Sequence, residues 1–122
     1  MKLTHVCIIT KDLNRLTEFY RQVLQIEPKA YGDDYVEFPT ELGALVFFDI
    51  EAHERLAPGS ARPASNRSLE LEFLVEAVDQ EYRRLQTLDM DWVLPPTTFA
   101  WGNRSIYFRD PDGNLVNLYS RV

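Results

Sequence analysis

Trp101-Gly-Asn-Arg-Ser-Ile-Tyr-Phe-Arg-Asp-Pro-Asp-Gly-Asn-Leu-Val-Asn-Leu-Tyr119 is the stretch from which the rest of the chain can be placed. Ser105 to Arg109 alternates and carries Ile106, Tyr107 and Phe108. Leu115 to Tyr119 alternates again. Between them, Asp110-Pro-Asp-Gly113 has the chemistry of a tight connection. Pro111 pre-sets φ, Asp110 and Asp112 can accept from their own backbone, and Gly113 takes a positive φ without strain. The stretch is therefore expected to be a β-hairpin.

A second stretch, at the other end of the chain, supplies the partner signal. His5-Val-Cys-Ile-Ile-Thr-Lys-Asp-Leu-Asn-Arg-Leu-Thr-Glu-Phe-Tyr-Arg-Gln-Val-Leu24 reads as a strand followed by a helix. Asp12 is a natural N-cap, and Leu13, Leu16, Phe19, Tyr20, Val23 and Leu24 recur at helical spacing. Taken together, the two stretches resemble the paired signatures of the vicinal oxygen chelate superfamily. That group includes glyoxalase I, extradiol dioxygenases, fosfomycin-resistance transferases and bleomycin-binding proteins. The resemblance spans essentially the whole chain. It is specific for fold and poor for function, because one scaffold hosts several chemistries.

Composition sets the outer bounds. A chain of 122 residues, 45% hydrophobic and 12% aromatic, suits one globular domain with a real core. No apolar run approaches the ~18 residues of a membrane span, and no basic-then-apolar leader is expected. The one cysteine, Cys7, excludes an intrachain disulfide, and a cytoplasmic protein is expected. A net charge of -6 argues against sequence-independent nucleic-acid binding, which depends on neutralising phosphates.

Between the two signatures the chain reads as further short elements. Pro28 stops the first helix, and Lys29 to Gly32, Tyr35 to Phe38 and Ala44 to Ile50 are strand candidates separated by turn residues. Residues 51–68 read as an exposed connection with one short helical turn at its start. Leu69 to Val75 is a strand, and Val78, Tyr82, Leu85 and Leu88 mark a helix. Trp92 to Leu94 follows, a break is expected at Pro95-Pro96, and the hairpin closes the chain. The expectation is an α+β fold of two tandem βαβββ modules, 1–50 and 69–122. As the resemblance implies, they would form a cup-shaped, mostly antiparallel sheet with helices on the outer face. Aligning the halves sets His5 against Glu70 and Phe47 against Asn117.

Strand alternation then sorts the side chains. Val6, Ile8, Leu71 and Phe73 are expected to face the helices. His5, Cys7, Glu70 and Glu72 take the opposite, ligand-facing side, together with Phe47, Asp49, Asn117 and Tyr119. Trp101 and Arg104, in the loop entering the hairpin, are expected at the pocket rim. In metal-dependent members of the superfamily, the resemblance puts His or Glu ligands at the positions of His5, Phe47, Glu70 and Asn117. Here Phe47 cannot coordinate, and Asn117 offers only a neutral carbonyl oxygen. A catalytic metal normally has three protein ligands and an open position. No resident metal is expected; if Zn, Ni, Mn or Fe were held, His5 and Glu70 would hold it.

Each of these residues has a plainer reading. A lone His5 in a strand can be a hydrogen-bonded structural residue. Glu70 and Glu72 can be the solvated face of a strand. Cys7 reads as a small core residue, and His53 as surface. Trp101 and Arg104 lean toward a structural loop lock, with the Arg bonded to backbone, over a mobile rim. On balance a metal-independent small-molecule-binding protein is expected, similar to the bleomycin-binding branch, taking a cationic or aromatic ligand. The alternatives are a glyoxalase-like lyase or isomerase, or a dioxygenase, using a metal, and metal-free acid/base catalysis by His5 and Glu70. As in many small relatives, a homodimer is expected.

Overall fold

The computed structural model describes residues 1–122. The chain divides into two compact units, Met1–Ser65 and Asn66–Val122. Each carries one four-stranded mixed sheet.

In the first unit, β1 (His5–Thr10) leads into α1 (Leu13–Leu24), β2 (Lys29–Ala30), β3 (Tyr35–Pro39), β4 (Ala44–Asp49) and α2 (Ile50–Leu56). The Asp12 carboxylate accepts from the Arg15 amide at 3.1 Å and starts α1. Gln25, at φ 54°, ends it in the left-handed region, its amide closing on the Arg21 carbonyl. Leu13, Leu16, Tyr20 and Val23 form the buried stripe. That stripe packs on the sheet through aromatic contacts, with the Tyr20 ring 5.0 Å from Phe47 and 6.5 Å from Phe38. β4 pairs in parallel with β1 and antiparallel with β3, giving the order β1-β4-β3-β2.

The second unit repeats this plan with β5 (Glu70–Leu74), α3 (Val78–Leu85), β6 (Asp91–Thr98), β7 (Asn103–Arg109) and β8 (Leu115–Arg121). The order is β5-β8-β7-β6, with β5 and β8 parallel. Val78 and Leu85 of α3 are buried, as are Ile106, Phe108, Val116 and Leu118 of the sheet. Trp92 stands edge-on between Tyr82 and Phe108, 4.8 and 5.8 Å away. The expected α+β fold of two βαβββ modules is what forms.

The closing hairpin is built as its residues dictate. Asp110 is 5% exposed. Its Oδ1 accepts from the amides of Asp112 and Asn114 at 2.9 Å, and its Oδ2 from Asn114 Nδ2 at 2.9 Å. Gly113 sits at φ 87°, a conformation that costs a side-chain-bearing residue about 1–2 kcal/mol.

Three expectations need correction. The helix at the start of the stretch 51–68 is longer than the single turn expected there: α2 runs from Ile50 to Leu56. Asp49 caps α2 by accepting from the amides of Glu51 and Ala52 at 3.0 and 3.3 Å, and Ala52 is buried. The helix expected through Leu88 stops at Leu85, where the Thr87 and Leu88 amides turn back to carbonyls three residues earlier. Pro95-Pro96 does not break β6. β6 is an edge strand, so one side of its backbone needs no partner, and its register shifts between Trp92 and Leu94 and between Leu94 and Thr97.

Candidate functional site

Each sheet has one face against its helix and one away from it, and the register identifies the residues of each face. In the second unit β5 pairs with β8 as Glu70↔Leu115, Glu72↔Asn117 and Leu74↔Tyr119. β7 pairs with β8 as Tyr107↔Asn117, Ser105↔Tyr119 and Asn103↔Arg121. All of these residues share the face away from α3, as alternation predicts for Glu70, Glu72, Asn117 and Tyr119.

Asn117 is the centre of that face and only 3% exposed. Its Nδ2 donates to Glu70 Oε1 at 3.1 Å and Glu72 Oε1 at 3.3 Å, and lies 3.3 Å from the Tyr107 hydroxyl. One amide therefore holds two carboxylates together against their mutual repulsion. Both glutamates remain exposed, so their other lone pairs face solvent. Burial, and then the negative charge of Glu70, push the Tyr107 phenol above its ordinary value. It stays protonated, donating to Glu70 while accepting from Asn117. Asn117 Oδ1 is buried without a partner. The amide thus presents N–H, not oxygen, to the carboxylates.

In the first unit the face away from α1 carries His5, Cys7 and Ile9 of β1, Val46 and Phe48 of β4, and Glu37 and Tyr35 of β3. His5 Nε2 lies 3.2 Å from Glu37 Oε1, and its Nδ1 lies 2.8 Å from Thr4 Oγ1. The Tyr31 hydroxyl donates to the other Glu37 oxygen at 3.1 Å. The carboxylate partner of His5 is Glu37, which sequence reading missed. Cys7 is exposed rather than in the core, because β1 alternation turns it to the face away from α1; partial desolvation raises its thiol above the ordinary value, so it carries no reactive thiolate.

Three expected site residues lie elsewhere. Phe47 is 0% exposed and packs against Tyr20; it belongs to the core under α1, not to a ligand face. The cause is a one-residue slip between the two halves. His5 pairs with Ala44, whereas Glu70 pairs with Leu115, so Asn117 corresponds to Val46 rather than to Phe47. A shift of one residue exchanges the faces. Asp49 falls with Phe47, and its carboxylate is spent capping α2.

Arg104 is also displaced from the rim. Its Nε and Nη2 donate to both oxygens of Asp79 on α3, at 2.8 and 2.9 Å, and its Nη1 to Thr98 Oγ1 at 3.0 Å. It fastens the helix to the sheet. Trp101 is 69% exposed and stacked on Phe99 at 4.4 Å. With Gly102, Asn103, Tyr119, Arg121 and Val122 it lines an open concavity of about 480 Å³.

The donor set can be tested against the metal that the resemblance implies. Val46 and Phe47 supply no ligand. Asn117 aims its N–H groups at Glu70 and Glu72, and His5 is bonded to Glu37 and Thr4. No three His, Cys, Asp or Glu side chains come together in an arrangement that could hold an ion. These residues do not fit a three-ligand centre.

Comparison with known proteins agrees with the fold. The protein YraH of Bacillus subtilis (strain 168) is 25% identical over 129 aligned residues, covering 100% of both chains. The fosfomycin resistance protein FosX of Listeria innocua is 28% identical, covering 97% of this chain and 88% of its own. A glyoxalase/bleomycin resistance protein/dioxygenase family enzyme from Burkholderia phytofirmans superposes with a TM-score of 0.87 at 19% identity, covering 100% of both chains. A glyoxalase/bleomycin resistance protein/dioxygenase from Nocardioides gives 0.82 at 23%, covering 100% of this chain and 84% of its own. The family model for the Glyoxalase/Bleomycin resistance protein/Dioxygenase superfamily matches residues 2–118, and the chain belongs to that superfamily.

Proposed function

We propose that this member of the superfamily binds a small cationic organic molecule, without a metal, on the Glu70–Glu72–Asn117 face of its second unit. The supporting observation is the buried Asn117 amide, which donates to both carboxylates. It fixes two negative groups side by side while leaving their outer lone pairs free. An ammonium or amidinium group satisfies those lone pairs through charge-assisted hydrogen bonds. Tyr107 and Tyr119, on the same face, give a ligand ring something to pack on.

FosX is a fosfomycin resistance protein. Fosfomycin carries a phosphonate, an anion that a pair of carboxylates repels, so this face favours a ligand of the opposite charge. The metal-dependent alternative rests on His5 and Glu70, which belong to different units and would need a third ligand. Metal-free proton transfer is a second reading with its own observation, the His5–Glu37 contact at 3.2 Å. In that reading Glu37 orients the imidazole, which is the base. The working form is proposed to be a homodimer.

Elemental mass spectrometry on protein purified without chelator tests the metal-free reading. Less than about a tenth of an equivalent of Zn, Ni, Mn or Fe is expected, given two carboxylates and no third ligand. Near-stoichiometric metal overturns it.

A further inference from the structure

The concavity beside Trp101 lies on the same sheet face but at the opposite end of β8, and its chemistry is of the opposite sign. Asn103 and Arg121 are directly paired across β7 and β8, so their side chains leave the sheet next to each other, about 5 Å apart at Cβ. Neither side chain makes a hydrogen bond or an ion pair within the protein. Tyr119 is the next residue on this face toward Asn117, and it too lines the concavity. Trp101 adds a flat wall. One side of its indole is covered by Phe99, at an interplanar angle of 5°, while the residue as a whole is 69% exposed. A stacked pair of this kind is already oriented to receive a third ring.

We propose that this concavity is a binding subsite for a planar ring bearing an oxyanion, such as an aromatic carboxylate or aryl phosphate. The ring stacks on Trp101, and Arg121 and Asn103 hold the oxyanion. Guanidinium presents a donor fork that matches carboxylate or phosphate oxygens, and the Asn103 amide adds a neutral donor beside it. The concavity, at about 480 Å³, falls within the size range of small-molecule sites.

The subsite extends the ligand reading of the Glu70–Glu72 end, and rests on it only in one consequence. Asn117 and Arg121 are four residues apart on β8, about 13 Å along a strand. A single ligand that fills both ends carries a cationic group and an oxyanion at roughly that separation.

Trp101 fluorescence provides the test, with benzoate and phenyl phosphate as probes and acetate and inorganic phosphate as ringless controls. Both aromatic probes should quench the emission saturably, and Trp101→Phe should abolish the response. Arg121→Gln, a change at an exposed position, should weaken binding at least tenfold. Glu70→Gln should leave it within twofold, so loss of cation binding and loss of this subsite are read separately. The tighter of benzoate and phenyl phosphate identifies the oxyanion. The proposal is overturned if quenching does not saturate, if Arg121→Gln binds within twofold of wild type, or if the ringless anions compete equally well.

Discussion

Replacing Phe47 by alanine separates the two places this side chain could occupy. On a ligand face, its loss would alter binding and leave stability nearly unchanged. In the structure it is 0% exposed, with Tyr20 at 5.0 Å and Phe38 at 5.5 Å from its ring. A buried Phe→Ala change costs about 3–5 kcal/mol, part lost transfer energy and part unfilled cavity. An unfolding entropy of about 2.1 cal/mol/K per residue, over 122 residues, is about 0.26 kcal/mol/K. The melting temperature should therefore fall by about 12–19 °C, as followed by circular dichroism. Phe47→Leu keeps most of the volume and should cost less than about 1.5–2 kcal/mol. If Phe47→Ala melts within about 2 °C of wild type, a shift worth only about 0.5 kcal/mol, the core placement and the one-residue slip between the halves are both wrong.

Other perturbations read other parts of the structure. Gly113→Ala should destabilise by about 1–2 kcal/mol in urea, because its φ of 87° strains any side-chain-bearing residue. The Arg104 guanidinium, hydrogen-bonded to Asp79, holds that carboxyl below its ordinary 3.8. A depressed folded value means the pair's contribution is present above pH 3.8 and is lost as pH falls through the lower folded value. Stability of Asp79→Asn should accordingly be lower at neutral pH and converge toward wild type in acid. Asn117→Asp replaces the donor between Glu70 and Glu72 with a third carboxylate; it should cost about 1–3 kcal/mol, and added Mn²⁺ should restore part of the loss. If Asn117→Asp melts like wild type without metal, the amide is not what holds the two carboxylates.

How much could be read from the residues depends on whether the signal was local. The hairpin turn was written into Asp110-Pro-Asp-Gly113, and the residues forming α1 into Asp12 and the Leu13–Leu16–Tyr20–Val23 spacing. β1 and β5 alternate clearly enough that the sides of His5, Glu70 and Glu72 followed from parity. Ala44 to Phe48 carries no such alternation, since Leu45, Val46 and Phe47 are all buried. Nothing local fixes its register, so alternation alone assigns Phe47 and Asp49 to the opposite face from the one they occupy. Tyr107 was within reach. A hairpin closing Arg109 on Leu115 sets Tyr107 opposite Asn117 by counting. Glu37 was not, because its meeting with His5 depends on β4 lying between β1 and β3. Arg104 and Asp79 are 25 residues apart, and no pattern in either segment announces the pair.

The central claim is that Glu70 and Glu72, held by Asn117, bind an organic cation without a metal. Isothermal titration of benzamidine, an aromatic amidinium with N–H donors, into protein stripped with a chelator tests it most directly. The account predicts saturable binding that is unchanged by the chelator and weakened at least tenfold by Glu70→Gln, about 1.4 kcal/mol. Silence in the stripped protein, with binding restored by Zn²⁺ or Mn²⁺, would contradict it.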